Sequence, residues 1–492
     1  MAVRYRSREL QKRTSDARPY NMIGSECMQL DKDLQAKQEA RDLCKQAQLA
    51  QQALFFYPQE KLDAIVEAVA GAFSAAAAEL AQMAVEETGF GNVKDKIRKN
   101  EFASKQVLEA IRPMKTVGIL KEEPGLWEVG VPVGVIAAIV PSTNPTSTVC
   151  YKAMIALKAG NAILFSPHPK ALACTLRAAR IVAEAAEKAG APKGAVSCLS
   201  VPSLEGCREL MSAGDVKLIL ATGGPAMVKA AYSSGKPAIG VGAGNGPAYL
   251  HPSCDLREAL EKVLRSKTFD NGTVCASEQS VIVHKDMEAQ AEKLAKSMGY
   301  YFMNDREAKA LGAILFRPNG ALNPDIVGKP AGVLAEKAGF TVPLSTKILV
   351  AREQDAGKEY PYSHEKLCPV LAWFVVENED AAKKLAVKVL SHEGAGHTFS
   401  IHAKDKEAVR RFCREIPVSR FLVNTPAALG GIGAETRLFP ALPLGCGAVG
   451  GSSSSENISP KELVNIRKVA WGQNAEDSLV ELLTLKILER LK

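Results

Sequence analysis

Cys275 stands in FDNGTVCASEQSVIV, after an Asn-Gly turn and directly before an apolar β run. That setting brings a thiol out of a loop at a sheet edge, where its thiolate can attack an electrophilic carbon. Taken alone, a single cysteine is as readily a small buried hydrophobe. Attack on a carbonyl creates an oxyanion that needs N–H donors. Asn144, in VPSTNPTST after a strand-like run, offers an amide, although an Asn before Pro is also a common turn residue. His397, in GAGHTFSIHA, offers either an acid or base that titrates near neutrality or a polar group beside a Gly turn. LATGGPAMVKAAYSSGK passes from a strand into a helix, which would set backbone N–H groups against a phosphate, but it does not complete GxGxxG and reads equally as a helix-opening turn. FPALPLGCGAVGGSSSSEN is open to two readings, a flexible linker or a closely packed loop lining a site.

Holding such groups together requires a rigid frame, and hydrophobic periodicity outlines one. Between Asp31 and Glu87 long Ala, Leu, Gln and Glu segments predict two or three amphipathic helices. From Gly134 to Tyr249 the runs GVIAAIV, NAILFS, AVSCLSV and VKLILAT alternate with helical patterns near 151–159, 171–189, 204–213 and 225–233. Strand, helix, strand at this spacing predicts a doubly wound parallel α/β sheet that binds ligands at the carboxyl ends of its strands. A second alternating region from Cys254 to about Ala427 includes SVIVHK, KILVAR, PVLAWFVV, HTFSIHA and RFLVNT. The Gly-rich IGVGAGNGPAY between them suits a chain crossing a cleft. KTVGILKEEPGLWEVGVP reads as a β-hairpin around Pro-Gly, whose exposed edge invites a second subunit.

The 492 residues correspond to about three domains, and 47% hydrophobic with 24% charged residues excludes disordered and fibrous classes. The net charge of +8 is spread along the chain, so it suits a small anionic ligand and speaks against nucleic acid. Eleven cysteines without CxxC spacing indicate a reducing compartment, hence the cytoplasm, and no metal site. The basic N-terminus lacks a signal-like apolar core, and no run is long enough for a membrane span.

Taken in order, the blocks VPVGVIAAIVPSTNPTST, KAGNAILFSPHP, ATGGPAMV, GVGAGNGPAY, FDNGTVCASEQ, HEKLCPVLAW, GHTFSIHA, LVNTPAALGGIG and LGCGAVGGSSSSENISPKELVNIRKVAW make the chain resemble the aldehyde dehydrogenase superfamily over roughly residues 30–470. More narrowly it resembles the CoA-acylating branch: acetaldehyde and propionaldehyde dehydrogenases and the aldehyde half of bifunctional aldehyde/alcohol dehydrogenases. The resemblance implies a Rossmann-type cofactor domain, an α/β catalytic domain and a β-hairpin oligomerisation arm. It implies NAD as cofactor, coenzyme A as co-substrate, and Cys275 as a nucleophile that passes through a thioester. Asn144 and the Cys275 backbone N–H would form the oxyanion hole, and His397 would be the active-site histidine. The cofactor would lie along Ser142, Thr143, Ser166, His168, Pro169, Thr222, Gly223, Gly224, Gly242 and Gly244, with Glu365, four residues before Pro369, on the nicotinamide ribose.

Two departures from the hydrolytic relatives are informative. Val241 stands where they carry a glutamate base, and without such a base, typically worth about 10²–10⁴-fold, water attacks an acyl-enzyme slowly while a thiol does not need it. Ser166 and Pro169 replace the lysine and glutamate that hold the adenine ribose, leaving NAD against NADP open.

The implied division is 1–113 with 132–247 for the dinucleotide/CoA domain, 248–430 for the catalytic domain, 114–131 with about 431–471 for the oligomerisation arm, and 472–492 for a tail. In that tail Ser478 and Glu481 match a capping box, and Leu479, Val480, Leu483, Ile487 and Leu491 recur at helical spacing. The tail reads as packing on its own dimer or tetramer, or as a segment resembling the peptides that carry enzymes into bacterial microcompartments by binding shell or core protein. The basic segment before Asp31 reads as a solvated arm. Alternative readings are a dehydrogenase for sulfoacetaldehyde or a semialdehyde, and a catalytically silent scaffold.

Overall fold

The computed structural model describes residues 31–472 and 475–491; the basic segment before Asp31 lies outside them. Three helices, Lys32–Leu54, Gln59–Ala75 and Ala77–Thr88, form the N-terminal layer. Ala36, Ala40, Ala47 and Ala50 fall on the buried face of the first, and these short side chains let it lie close against helix Leu204–Ser212 and the sheet beneath.

That sheet has five parallel strands in the order Val196–Cys198, Ile163–Ser166, Val135–Ile139, Val216–Thr222, Ala238–Val241. The chain starts in the middle, winds to one side and then returns to the other. The order therefore reverses between Val135–Ile139 and Val216–Thr222, which opens a crevice at their carboxyl ends. Helix Pro145–Lys158 leaves this crevice and is buried at all 14 positions. A helix buried on every side, with Thr146, Ser147, Thr148 and Lys152 among its buried positions, shows no 3.6-residue stripe, so the sequence pattern put its start near Tyr151, six residues late.

A second sheet has seven strands, in the order Tyr300–Phe302, Ile348–Arg352, Val370–Val376, Glu278–His284, Gly246–Leu250, Gly396–His402, Val418–Val423, again all parallel. The 247/248 division suggested by the sequence falls inside the strand Gly246–Leu250. Near-continuous apolar runs such as VLAWFVV are what a parallel sheet covered on both faces requires, and two separate hydrophobic clusters flank it.

The hairpin is present as strands Gly118–Glu123 and Leu126–Pro132, and it gains a third, antiparallel strand, Val464–Ala470, that hydrophobic pattern alone did not reveal. The rings of Trp127 and Trp471 meet edge to face at 4.8 Å. Ile119, Ile466, Val469 and Trp471 stay exposed on this small sheet.

The Gly- and Ser-rich stretch near 440–457 is packed rather than loose. Gly445 N–H donates to Glu456 O, Gly447 N–H donates to Ser454 O, and Leu444 and Ile458 are buried in the first core. Beyond it, helix Ala475–Arg490 begins a turn before Ser478, so Ser478 lies within the helix and not at its cap. Val480, Leu483, Leu485, Ile487 and Leu488 are exposed. At 100° per residue Val480, Leu483 and Ile487 share one side of the helix, while Leu485 and Leu488 widen the apolar surface beyond it. No single described helix is long and apolar enough to cross a membrane.

Candidate active site

A cleft of ≈ 470 Å³ opens where the two parallel sheets face each other, and both contribute walls. From the five-stranded side come Ser142, Thr143 and Asn144 after strand Val135–Ile139, His168 and Lys170 after strand Ile163–Ser166, Thr222 to Gly224 after strand Val216–Thr222, and Val241 and Gly242 from the last strand. From the other side come Thr273, Val274, Cys275 and Glu365. Apolar groups, among them Phe90, Val327, Ile432 and Leu442, complete it.

Most of the residues singled out from the sequence therefore meet, although they are scattered over more than two hundred positions. Five do not line the cleft. Ser166 is buried at the end of its strand, Pro169 opens a 3-10 turn, and Pro369 accepts a ladder hydrogen bond from Leu349 N–H. Gly244 and His397 sit behind Cys275. Lys99, Lys170, Arg317 and the pair Lys96/Asp270 were missed; on helix Val93–Glu101 the sequence KDKIRKNE carries only the charge pattern of a solvated face.

Cys275 is half-buried. Burial pushes its thiol up to about 12, the Glu365 carboxylate adds to this, and the buried Arg420 guanidinium opposes it. Arg420 is held by the carbonyls of Gly445 and Gly396 without a carboxylate partner, so its charge is free to favour a thiolate. The Cys275 N–H donates to no carbonyl among the described residues. Gly244 packs directly on this backbone: a Cβ there would lie 2.0 Å from Cys275 O and 3.2 Å from His397 Cε1. Glu365 Oε1 accepts the Gly244 N–H at 2.9 Å. Burial, and then the Glu393 carboxylate, push the Glu365 carboxyl up to about 8.

His397 is fully buried, with Nδ1 2.9 Å from Thr398 Oγ1 and Nε2 without a partner. Burial, and next the Arg420 charge, hold it well below its ordinary value, so the ring is neutral at pH 7 and Nε2 can accept a proton when Nδ1 carries the hydrogen.

Asn144 precedes helix Pro145–Lys158 but does not cap it with its side chain. Its Oδ1 accepts from Lys99 Nζ at 2.6 Å, while its Nδ2 makes only long contacts, 3.2 Å to Thr143 Oγ1 and 3.4 Å to Thr273 O. That amide N–H is weakly engaged at the cleft wall, beside Cys275.

The cofactor segment fits a dinucleotide. Thr222 Oγ1 is buried without a partner, and a Cβ on Gly224 would meet open space at the entry to helix Pro225–Tyr232, where backbone N–H groups are free for a diphosphate. Val241, 2% exposed, presents only methyl groups, and Glu365 is the one carboxylate lining the cleft among the described residues.

A family model described as "Aldehyde dehydrogenase family" matches residues 24–316. The bifunctional aldehyde-alcohol dehydrogenase AdhE of Escherichia coli strain K12 is 45% identical over 448 residues, 90% of this chain but 50% of that protein, so the chain spans about half the length of such relatives. The succinate-semialdehyde dehydrogenase (acetylating) of Clostridium kluyveri is 36% identical over 88% of this chain and 95% of its own length. Among solved structures, an acetylating aldehyde dehydrogenase from Geobacillus thermoglucosidasius has a TM-score of 0.89 at 48% identity, covering 91% of this chain and 99% of that one. A propionaldehyde dehydrogenase from a Clostridium phytofermentans fucose utilisation bacterial microcompartment has a TM-score of 0.79 at 28% identity, covering 90% and 98%. A Rhodopseudomonas palustris propionaldehyde dehydrogenase, solved with bound CoA and an acylated cysteine, has the same TM-score and identity over 88% and 97%.

Proposed function

The chain belongs to the aldehyde dehydrogenase family, and from that premise we propose that its cleft converts a short-chain aldehyde and coenzyme A into the acyl-CoA with reduction of NAD. The observation that carries the choice of acceptor is the wall beside Cys275. It holds Val241 where a water-activating carboxylate would be needed, and Glu365 is already engaged with Gly244.

Cys275 Sγ, once deprotonated, bonds to the aldehyde carbon. The Asn144 Nδ2 and Cys275 N–H groups receive the developing oxyanion, donors of a kind worth about 3–4 kcal/mol each. A nicotinamide, when bound along Ser142, Thr143 and Thr222–Gly224 with Glu365 at its ribose, supplies the hydride acceptor. The acyl group then remains on Cys275 as a thioester. Arg420 stabilises the sulfur as a leaving thiolate, and the same two N–H groups serve again when the thiol of coenzyme A attacks, with His397 Nε2 as the group able to take the proton. The phosphates of both ligands agree with the +8 charge and with Lys170 and Arg317 on the cleft wall. Succinate-semialdehyde and sulfoacetaldehyde enzymes among the relatives keep an anionic aldehyde as the second reading, with Arg317 as the cation to receive it.

Measuring NADH formation from acetaldehyde and propionaldehyde with and without coenzyme A tests the proposal. Turnover that does not depend on coenzyme A overturns it, and succinate semialdehyde or sulfoacetaldehyde outrunning both simple aldehydes favours the second reading.

The three-stranded antiparallel sheet, with Ile119, Ile466, Val469 and Trp471 exposed, supports a homo-oligomer assembled through this arm. The exposed apolar residues of helix Ala475–Arg490 support docking on the shell or core proteins of a bacterial microcompartment in the cytoplasm. Deleting residues 473–492 should release the enzyme from such particles and leave kcat intact; retained association overturns the docking role.

A further inference from the structure

A buried ionic cluster lies at the cleft wall, where two lysines from helix Val93–Glu101 meet Asp270, five residues before Cys275. Lys96 and Lys99, one helical turn apart on Val93–Glu101, are each 3% exposed and both reach Oδ2 of Asp270, at 3.0 and 2.5 Å. Asp270 is fully buried; its Oδ1 accepts from Asn92 N–H at 2.8 Å, and its N–H donates to Asp95 Oδ2 at 2.8 Å. Lys96 spends a second proton on Thr143 O at 2.9 Å. Lys99 spends its other two on Thr273 Oγ1 at 3.0 Å and on Asn144 Oδ1 at 2.6 Å. With all three N–H bonds matched to acceptors, the Lys99 nitrogen is an ammonium. Burial is the main cause that lowers it to about 8, which leaves it charged at neutral pH.

We propose that Lys99 is a positioning residue for the oxyanion hole: its ammonium fixes the orientation of the Asn144 amide and polarises it toward donation at Nδ2. This rests on Asn144 donating to the substrate oxygen as described above. An ammonium has donors and no lone pair, so it accepts only one of the two amide orientations. With Oδ1 turned to Lys99, Nδ2 must turn away. The reversed amide would set two donors against each other and aim a carbonyl oxygen at the oxyanion. A cation on Oδ1 also draws electron density from the amide nitrogen, which strengthens the N–H as a donor in a site shielded from water. Asp270 takes the two ammonium groups at one shared oxygen and the Asp95 carboxylate lies in the same cluster, so what acts on Asn144 is the direct Lys99 contact at Oδ1 and not a net charge of the cluster.

The test is a double-mutant cycle on kcat for NADH formation, using Lys99→Met and Asn144→Ala in the full chain. Lys99→Met should lower kcat about 10- to 100-fold with the aldehyde KM changed less than threefold, and should cost no further activity once Asn144 is alanine. Alkylation of Cys275 by iodoacetamide, a displacement at sp3 carbon that needs no oxyanion donor, should keep its rate within twofold. Lys96→Met removes the other ammonium from Asp270 but touches no atom of Asn144. It should lower thermal stability comparably while reducing kcat at least tenfold less. If Lys99→Met does not fold, Lys99→Gln, which keeps an amide NH2 donor without the charge, takes its place and should retain an intermediate kcat. Losses that add in the double mutant, or a loss confined to KM, overturn the proposal. Asn144→Ala with full activity overturns instead the oxyanion reading on which it stands.

Discussion

Gly244 N–H donates to Glu365 Oε1 at 2.9 Å, and Gly244 lies so close to Cys275 that a Cβ there would meet the Cys275 carbonyl. Through this contact the seven-stranded sheet region grips the Gly-rich crossover and sets the nucleophile's backbone. Glu365 itself is steadied from behind, where its N–H donates to Glu393 Oε2 at 2.8 Å.

This arrangement gives a pH signature. The Glu365 carboxyl, pushed up to about 8 chiefly by burial, binds a proton in the native state that the unfolded chain releases near 4.3. Its contribution is complete below the lower value and is lost as pH rises through about 8. Glu365→Gln cannot ionise, so the ligand-free variant should match the wild type at pH 5 and exceed its Tm by on the order of 2 °C at pH 9. Thermal unfolding at both pH values checks this, and a wild-type advantage at pH 9 refutes it.

The same carboxylate raises the Cys275 thiol. Once Glu365 is ionised, above about pH 8, the wild-type thiol should be alkylated about 3- to 10-fold more slowly than in Glu365→Gln, while near pH 6.5 the two rates should converge. Iodoacetamide labelling followed by mass spectrometry of the Cys275 peptide reads both. Cys275→Ala should abolish NADH formation altogether.

Restoring a carboxylate at the cleft wall should alter the choice of acceptor. Val241→Glu is expected to introduce aldehyde oxidation without coenzyme A, at least 10-fold above the wild-type background. The carboxylic acid product, measured directly, is the decisive readout. A folded Val241→Glu protein that forms no acid would show that Val241 is not what excludes water chemistry.

Gly244 is required for space. Its Cβ would fall 2.0 Å from Cys275 O, a contact that only backbone movement relieves. Gly244→Ala should cost about 1–3 kcal/mol of stability and reduce kcat at least 100-fold. Gly242, where a Cβ meets nothing within 4 Å, is the matched control for the backbone effect of Gly→Ala in the same segment. If Gly244→Ala keeps wild-type kcat, the Cys275 backbone is not held from this side.

Much of this site is legible in the linear sequence because local patterns carry it. Cys275 follows a turn and precedes a strand, and Thr222–Gly224 ends a strand and opens a helix. Val241 is informative through a chemical absence. The Lys96, Lys99 and Asp270 cluster is different. Its lysines and its carboxylate are more than 170 positions apart, and lysines three apart on a helix describe an exposed face until something charged is buried against them. The strand Val464–Ala470 escaped for a related reason. Six of its seven residues are exposed, so no alternation of apolar and polar positions marks it, and its partner Leu126–Pro132 is remote. In the C-terminal helix Val480, Leu483 and Ile487 follow the spacing read from the sequence, and Leu485 and Leu488 broaden that side.

Asp270 and Asn271 both adopt left-handed backbone, at φ of 48° and 51°, five and four residues before the nucleophile. Asp and Asn reach this region more readily than most side chains, yet it still carries a cost. What compensates is contact with distant segments: Lys96 and Lys99 on Asp270, and Asn271 Nδ2 on the carbonyls of Gly91 and Gly328. The nucleophile's loop thus takes its shape from the segments around Gly91, Lys96 to Lys99 and Gly328 and not from its own residues alone, so a substitution in any of them reaches Cys275 without touching it.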